Sequence, residues 1–188
     1  MTAMNELRIE ASRAVVLIID FQERLLPAMA HAEASLNNAG RLADAARELG
    51  LPLLVTEQYP KGIGPTVAAL RDKLSATPLD KLEFSVAQNP RAAALLAGWR
   101  HAGRDTVLVA GIEAHVCVWQ TVADLRAAGW RVHVAADATS SRTVENWNTA
   151  KGLWQAAGAV VTSTEAALFD LVRGAQHPNF KAISKLIK

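Results

Sequence analysis

Residues 13–20 of the chain read Arg-Ala-Val-Val-Leu-Ile-Ile-Asp, a nearly continuous apolar run that is rich in β-branched side chains and ends at a carboxylate. Such a run is typical of a parallel strand that is covered on both faces, because a strand with one solvated face shows alternating polar residues. The segment therefore predicts a central strand of a buried parallel sheet, with Asp20 at its carboxyl end.

Strands and helices alternate outward from this run. Further strands are predicted at residues 52–56, 79–81, 106–110, 131–136 and 159–161, and helices at residues 32–49, 67–74, 90–102, 114–128, 144–157, 163–172 and 180–187. Residues 59–65 are rich in Gly and Pro and predict a loop. The alternation implies right-handed β-α-β units and a three-layer α/β/α, Rossmann-like fold with a parallel sheet. The length predicts a single domain over residues 1–188.

The composition limits the classes of function. Of the 188 residues, 51% are hydrophobic and 20% are charged, and 20 Lys and Arg against 18 Asp and Glu leave a net charge of +2. The basic residues are scattered, so we expect no nucleic-acid partner, and no apolar run is long enough to predict a membrane role. A single cysteine excludes an internal disulfide, and residues 1–10 lack a signal pattern, so we expect a cytoplasmic location.

That single cysteine, Cys117, follows the strand predicted at residues 106–110 and lies at the first turn of the next helix. Free N–H groups and the helix dipole favour a thiolate at this position, and a thiolate is a nucleophile. The simpler interpretation is that Cys117 only packs, because free cysteines behave as small apolar residues and are often buried.

Two further reactive side chains, Asp20 and Lys81, also stand just past predicted strands. In doubly wound sheets, ligands bind beyond the carboxyl ends of the strands, where the strand order reverses. For the order 3-2-1-4-5-6, Asp20, Lys81 and Cys117 would rim one crevice, where the lysine favours the thiolate and the aspartate moves its proton. Backbone N–H groups of residues 111–117 would stabilise an oxyanion. Taken singly, Asp20 also fits a turn cap and Lys81 a solvated charge.

Around these residues the chain resembles the isochorismatase-like cysteine hydrolases. Residues 55–66, 111–117 and 177–183 most closely resemble the branch of isochorismatase-domain-containing proteins. The matching segments are Leu17-Ile-Ile-Asp-Phe-Gln22, Lys81-Leu-Glu-Phe-Ser85, Gly111-Ile-Glu-Ala-His-Val-Cys-Val118 and Val134-Ala-Ala-Asp-Ala-Thr-Ser-Ser-Arg142. The resemblance implies a six-stranded parallel sheet and a catalytic triad of Asp20, Lys81 and Cys117. It also implies a cis peptide bond between Ile112 and Glu113, with the N–H groups of Glu113 and Cys117 directed at an oxyanion.

What the resemblance implies for function is a cofactor-independent hydrolase that acts through a Cys117 thioester. Nicotinamidases of the family bind a metal through an Asp-x-His motif, but residues 57–62 here read Glu-Gln-Tyr-Pro-Lys-Gly, so we expect neither a metal nor another cofactor. The cysteine favours C–N bond cleavage in a small molecule over vinyl ether cleavage. The resemblance further implies a homo-oligomer, a dimer or a higher assembly. Four dispersed histidines are expected at the surface or in packing: His31, His101, His133 and His177.

Several aromatic and polar residues flank the expected crevice. Phe21, Gln22, Tyr59 and Phe84 are predicted to line the substrate pocket, and His115 and Trp119 either line it or pack within their helix. Two other classes of function stay open. One is a binding or scaffold protein that keeps the fold without efficient catalysis, and the other is a flavin or dinucleotide binder.

Overall fold

The computed structural model describes residues 7–188, and six strands within them form one parallel sheet. The strands are β1 (Ala14–Ile19), β2 (Leu53–Gln58), β3 (Leu79–Lys81), β4 (Thr106–Ile112), β5 (Arg131–Ser140) and β6 (Val160–Thr162). Their order is β3-β2-β1-β4-β5-β6, and every pairing between neighbours is parallel. The predicted α/β fold and strand order are confirmed.

Helices cover both faces of this sheet. One face carries α1 (Ala32–Leu49), α7 (Thr164–Val172) and α8 (Phe180–Ile187), and the other carries α4 (Pro90–His101), α5 (Trp119–Ala127) and α6 (Val144–Ala156). Two short helices, α2 (Pro60–Ile63) and α3 (Ala68–Arg71), follow β2. The β1 side chains alternate between the two layers and all are buried, which accounts for the apolar run in the sequence.

Local signals explain where the helices begin and end. Gly50 adopts φ 63° and closes α1, a conformation that glycine takes without steric cost. The Asn89 side chain accepts hydrogen bonds from the N–H groups of Arg91 and Ala92, and Pro90 occupies the first helical position of α4.

Several predicted segments differ from the structure, and the helix expected at residues 67–74 is limited to α3, Ala68–Arg71. The predicted loop at residues 59–65 contains the helical turn α2, because Pro60 has a φ suited to a first helical position. The helix expected from residue 114 opens with a π-helical turn, Ala114–Val118. Strand β5 continues to Ser140, since its pairing with β4 shifts register between Val109 and Gly111 and then resumes.

Within residues 7–188, no helix is both long enough and apolar enough to span a bilayer.

Candidate active site

Asp20 lies directly after β1 and is fully buried. Its backbone adopts φ 59°, in the left-handed region that Asp tolerates better than most residues. One carboxylate oxygen, Oδ1, accepts a hydrogen bond of 2.8 Å from the Thr56 hydroxyl, and Oδ2 accepts one of 2.6 Å from Lys81 Nζ. The Asp20 side chain therefore connects the end of β1 to β2 and β3 through hydrogen bonds.

Lys81 ends β3, and its side chain is as completely buried as that of Asp20. Besides the Asp20 bond, Nζ donates to Gln58 Oε1 at 2.7 Å and to the Phe84 carbonyl at 3.2 Å. This excludes the interpretation of Lys81 as a solvated surface charge. A buried ion pair of this kind depends on such hydrogen bonds, because both charges have lost their contact with water.

Cys117 lies in the π-helical turn after β4 and is buried, with 6% of its surface exposed. Burial raises the pKa of the thiol to about 12, and the charge of Asp20 and its hydrogen bonding to the thiol act in the same direction, while Lys81 opposes them. Burial and Asp20 outweigh Lys81, so the resting protein does not favour the thiolate that was expected at the helix start. The resting nucleophile candidate is a thiol.

The pKa of Asp20 moves in the direction that suits a proton acceptor. Burial raises it, whereas Lys81 and the Thr56 hydroxyl lower it. A carboxylate with a raised pKa is a stronger base than an exposed one, and it lies beside the thiol that must lose a proton.

The turn between β4 and Cys117 contains the expected cis peptide bond, Ile112–Glu113. The Glu113 carboxylate forms an ion pair with Arg142, whose Nε lies 3.1 Å from Glu113 Oε2. Gly111 precedes this turn at the point where β4 pairs with Ile19 of β1. A Cβ atom at Gly111 would lie 2.5 Å from Ile19 Cβ, so only glycine fits where the two strands approach.

The six residues predicted to line the pocket divide into three groups. Phe21 belongs to the core beneath α1, and the Gln22 side chain bonds the backbone of Gln58 and Gly64, so both are structural residues. This corrects their prediction as pocket residues, because the chain turns inward directly after Asp20. Tyr59 and Phe84 are half exposed.

The other two predicted pocket residues, His115 and Trp119, are partly buried in and after the π-helical turn. His115 Nδ1 lies 3.0 Å from the Ser141 hydroxyl, and Trp119 packs against the apolar cluster beneath α4, α5 and α6. Trp119 therefore packs against the cluster that contains Cys117, whereas His115 is held by Ser141 directly after β5.

Sequence reasoning missed Thr56 and Gln58, which hold Asp20 and Lys81. Both lie in the second half of β2, where the apolar residues 53–55 are followed by three buried polar residues, Thr56, Glu57 and Gln58. That pattern was a usable signal, because buried polar side chains require hydrogen-bond partners.

A cleft of about 340 Å³ lies against β3 and the start of α2. Its lining includes Lys81, whose side chain is fully buried, together with Tyr59, Pro60, Lys61, Asp80, Leu82 and Asn89. No group of three or more His, Cys, Asp or Glu side chains that could hold a metal ion occurs among the residues described.

Comparison with known proteins gives consistent matches. The model of the isochorismatase domain matches residues 14–166. Isochorismatase domain-containing protein 1 of Salmo salar is 39% identical over 174 residues, which are 93% of this chain and 60% of that protein. The chain thus spans about three fifths of the length of that relative.

Two solved structures are similar over nearly the whole chain. The MAR1 ribonuclease of Caenorhabditis elegans is 40% identical with a TM-score of 0.89, and the match covers 96% of this chain and 92% of that one. YcaC of Pseudomonas aeruginosa, solved with hexane-2,5-diol and covalent acrylamide, is 25% identical with a TM-score of 0.86 and coverages of 95% and 91%.

Proposed function

The chain belongs to the isochorismatase family, and from this membership we propose that it is a cofactor-independent cysteine hydrolase that cleaves a C–N, amide-type bond of a small molecule. The observation that carries the proposal is the buried grouping of Cys117, Asp20 and Lys81 at the carboxyl edge of the sheet. A thiol, a carboxylate and an ammonium in this order supply a nucleophile, a proton carrier and a fixed positive charge.

In the first step, Asp20 accepts the thiol proton as sulfur attacks the substrate carbonyl carbon. A C–S bond forms, and the carbonyl electron pair moves to oxygen, where the N–H groups of Glu113 and Cys117 are proposed to stabilise the negative charge. When the carbonyl re-forms, the C–N bond breaks, and Asp20 returns the proton to the departing amine. The product of this half-reaction is a thioester on Cys117.

In the second step, Asp20 accepts a proton from water, and the resulting hydroxide attacks the thioester carbonyl. The C–S bond breaks, the acid leaves, and the thiolate regains its proton from Asp20. A high thiol pKa is compatible with this scheme, because the thiolate forms only as the carbonyl is attacked and the proton has a nearby acceptor. Lys81 keeps Asp20 oriented and opposes the increase in its pKa that burial causes.

The test is a screen of small amides, with esters and vinyl ethers as competing bond classes, followed by mass spectrometry of the intact protein during turnover. We expect turnover of amides, an acyl adduct on Cys117, and loss of both in Cys117→Ala and Cys117→Ser. Full activity in Cys117→Ala, or turnover of vinyl ethers alone, would contradict the proposal.

A non-catalytic or weakly active scaffold is the second candidate, and the raised thiol pKa favours it. This candidate predicts no turnover of any bond class and no difference in ligand binding between the unaltered protein and the Cys117→Ala variant. The name of the Caenorhabditis elegans relative adds RNA as a substrate to test. We expect no RNA cleavage, because Asp20 and Lys81 are buried too deeply to contact a phosphate backbone.

The proposal includes a small-molecule substrate, a cytoplasmic location and a homo-oligomer of two or more copies. Light scattering on the purified protein measures the last of these directly. A monomer at all concentrations would contradict the oligomer without affecting the proposed chemistry.

A further inference from the structure

Tyr59 has an unusual backbone conformation directly beside Lys81. It follows β2 with φ 36° and ψ 64°, a left-handed region that bulky side chains rarely occupy. Its N–H donates to the Lys81 carbonyl at 2.9 Å, and its own carbonyl accepts hydrogen bonds from the N–H groups of Gly62 and Ile63. The surrounding backbone thus holds Tyr59 in one conformation.

Gly62 fixes the position of the Tyr59 ring. A Cβ atom built at Gly62 would lie 2.3 Å from Tyr59 Cε1 and 2.4 Å from Cδ1. Real Cβ atoms do not approach other atoms so closely, so the ring lies over the glycine at a place where no side chain fits. The aromatic ring therefore has a backing on one side and a defined orientation.

The remainder of the ring is uncovered. Tyr59 is 50% exposed and belongs to neither apolar cluster of the core, and it lines the cleft together with the exposed Leu82 and with Lys81, whose ammonium group is buried. An aromatic side chain offers a large apolar area and prefers to stack against another flat group. A ring that is fixed in place, half exposed and next to Lys81 is suited to contact a ligand.

We infer, on the basis of the proposed function, that Tyr59 is a specificity-determining residue that stacks against an aromatic group of the substrate. Strand β2, which leads to Tyr59, and β4, which leads to Cys117, are separated only by β1, a distance of about 10 Å. The aromatic group and the scissile amide are accordingly joined by a short linker. The substrate class is that of arylalkyl amides.

The single cysteine allows this inference to be tested without knowledge of the substrate. The probes are N-phenethyl iodoacetamide and N-butyl iodoacetamide, which share one electrophile and differ in the aromatic ring. Alkylation of Cys117 is followed by intact mass, and each rate constant is divided by that for free cysteine. We expect the phenethyl probe to react about 3- to 10-fold faster than the butyl probe, the range expected for one stacked aromatic pair.

Four variants separate stacking from general structural effects. Tyr59→Phe should keep the preference, and Tyr59→Gly should abolish it, while glycine adopts φ 36° easily and so preserves the fold. Gly62→Ala should weaken the preference because its methyl group displaces the ring. The matched control is Gly98→Ala in α4, where a Cβ atom meets nothing within 4 Å, and the preference should stay unchanged.

Equal rates for both probes in the unaltered protein, or a preference that survives in Tyr59→Gly, would overturn the inference and leave the proposed hydrolase intact. A Cys117 that reacts with either probe only after unfolding would refute the proposed function itself, because no substrate would then reach the thiol.

Discussion

Asp20 raises the pKa of Cys117 and is also proposed to carry its proton, and replacement of Asp20 by Asn separates these two roles. Burial, the charge of Asp20 and the weaker influence of Glu113 raise the pKa of the thiol, and Lys81 lowers it, so Asp20→Asn removes the stronger of the two negative neighbours. We expect the pKa of Cys117 to fall from about 12, so that its alkylation at neutral pH becomes faster. Turnover should nevertheless fall by about 10²- to 10⁴-fold, because the proton carrier is lost.

The measurement is the pH dependence of Cys117 alkylation, followed beside the rate of amide turnover. Asp72→Asn, at an exposed position, is the control and should leave both unchanged. A variant at Asp20 that turns over normally, or one in which the thiol pKa rises, would exclude Asp20 as the proton carrier.

Lys81 is the second residue whose contribution is measurable alone. Lys81→Met leaves the Asp20 carboxylate buried without its ionic partner, so the free energy of unfolding should decrease by about 3–5 kcal/mol. The double variant Asp20→Asn with Lys81→Met removes both charges and should recover most of that loss. Urea denaturation of the four proteins gives the coupling energy.

The exposed Lys181 in α8 provides the matched control, and Lys181→Met should change stability by no more than about 0.5 kcal/mol. If the single variant at Lys81 is as stable as the double variant, the ion pair has no structural role.

At the scale of the elements, the site depends on the close approach of β1 and β4, and Gly111 permits this approach. Gly111→Ala would place a methyl group 2.5 Å from Ile19 Cβ and 2.9 Å from the Ile19 carbonyl oxygen. We expect the strands to separate, with a stability loss of about 1–3 kcal/mol, the range for overpacked cores. Turnover should decrease further than stability explains, because Asp20 follows β1 and Cys117 follows β4.

Thermal unfolding and amide turnover measure the two effects of Gly111→Ala. The control is again Gly98→Ala, which should stabilise α4 slightly because alanine has the higher helix propensity. A Gly111→Ala protein with normal stability and turnover would mean that the strands accommodate the methyl group.

The sequence was sufficient to predict these elements and the positions of Asp20, Lys81 and Cys117 at their ends. Buried parallel strands are apolar throughout, so their carboxyl ends are recognisable, and the alternation with helices brings those ends to one edge. The protonation of Cys117 was not predictable in the same way. It depends on burial and on the distance to Asp20, and both arise only from the packed structure.

The directions of the predicted pocket side chains also could not be derived from the periodicity of apolar residues. Phe21 and Gln22 turn into the protein directly after Asp20, which has φ 59°. Tyr59, which itself has φ 36°, lies at the cleft. Each direction is set by one backbone angle after a strand, which no pattern of apolar residues encodes. The π-helical turn Ala114–Val118 is a further example, since its apolar pattern resembles that of an α-helix.

At the scale of the whole molecule, the sheet separates two apolar layers, and polar groups buried in them affect overall stability. His133 in β5 is such a group, with 1% of its surface exposed and no hydrogen-bond partner for Nε2. Burial lowers the pKa of His133 to about 4, Arg131 and Arg126 act in the same direction, and Asp170 opposes them. The ring is therefore neutral in the folded protein at neutral pH.

This buried histidine makes the protein sensitive to acid. The pKa of His133 is about 4 in the folded chain and near its ordinary value of 6.5 in the unfolded chain, so the unfolded chain binds the proton first as the pH falls. Stability due to the neutral ring is complete above about pH 6.5 and is lost progressively down to about pH 4. Between pH 7 and pH 5 this loss amounts to about 2 kcal/mol.

His133→Leu lacks the titrating group, so its free energy of unfolding should decrease less over the same interval, as measured by urea denaturation at each pH. The difference between the two proteins isolates His133 from the carboxylates, which titrate in both. Parallel curves for the two proteins would show that His133 binds its proton equally well in the folded and unfolded chains.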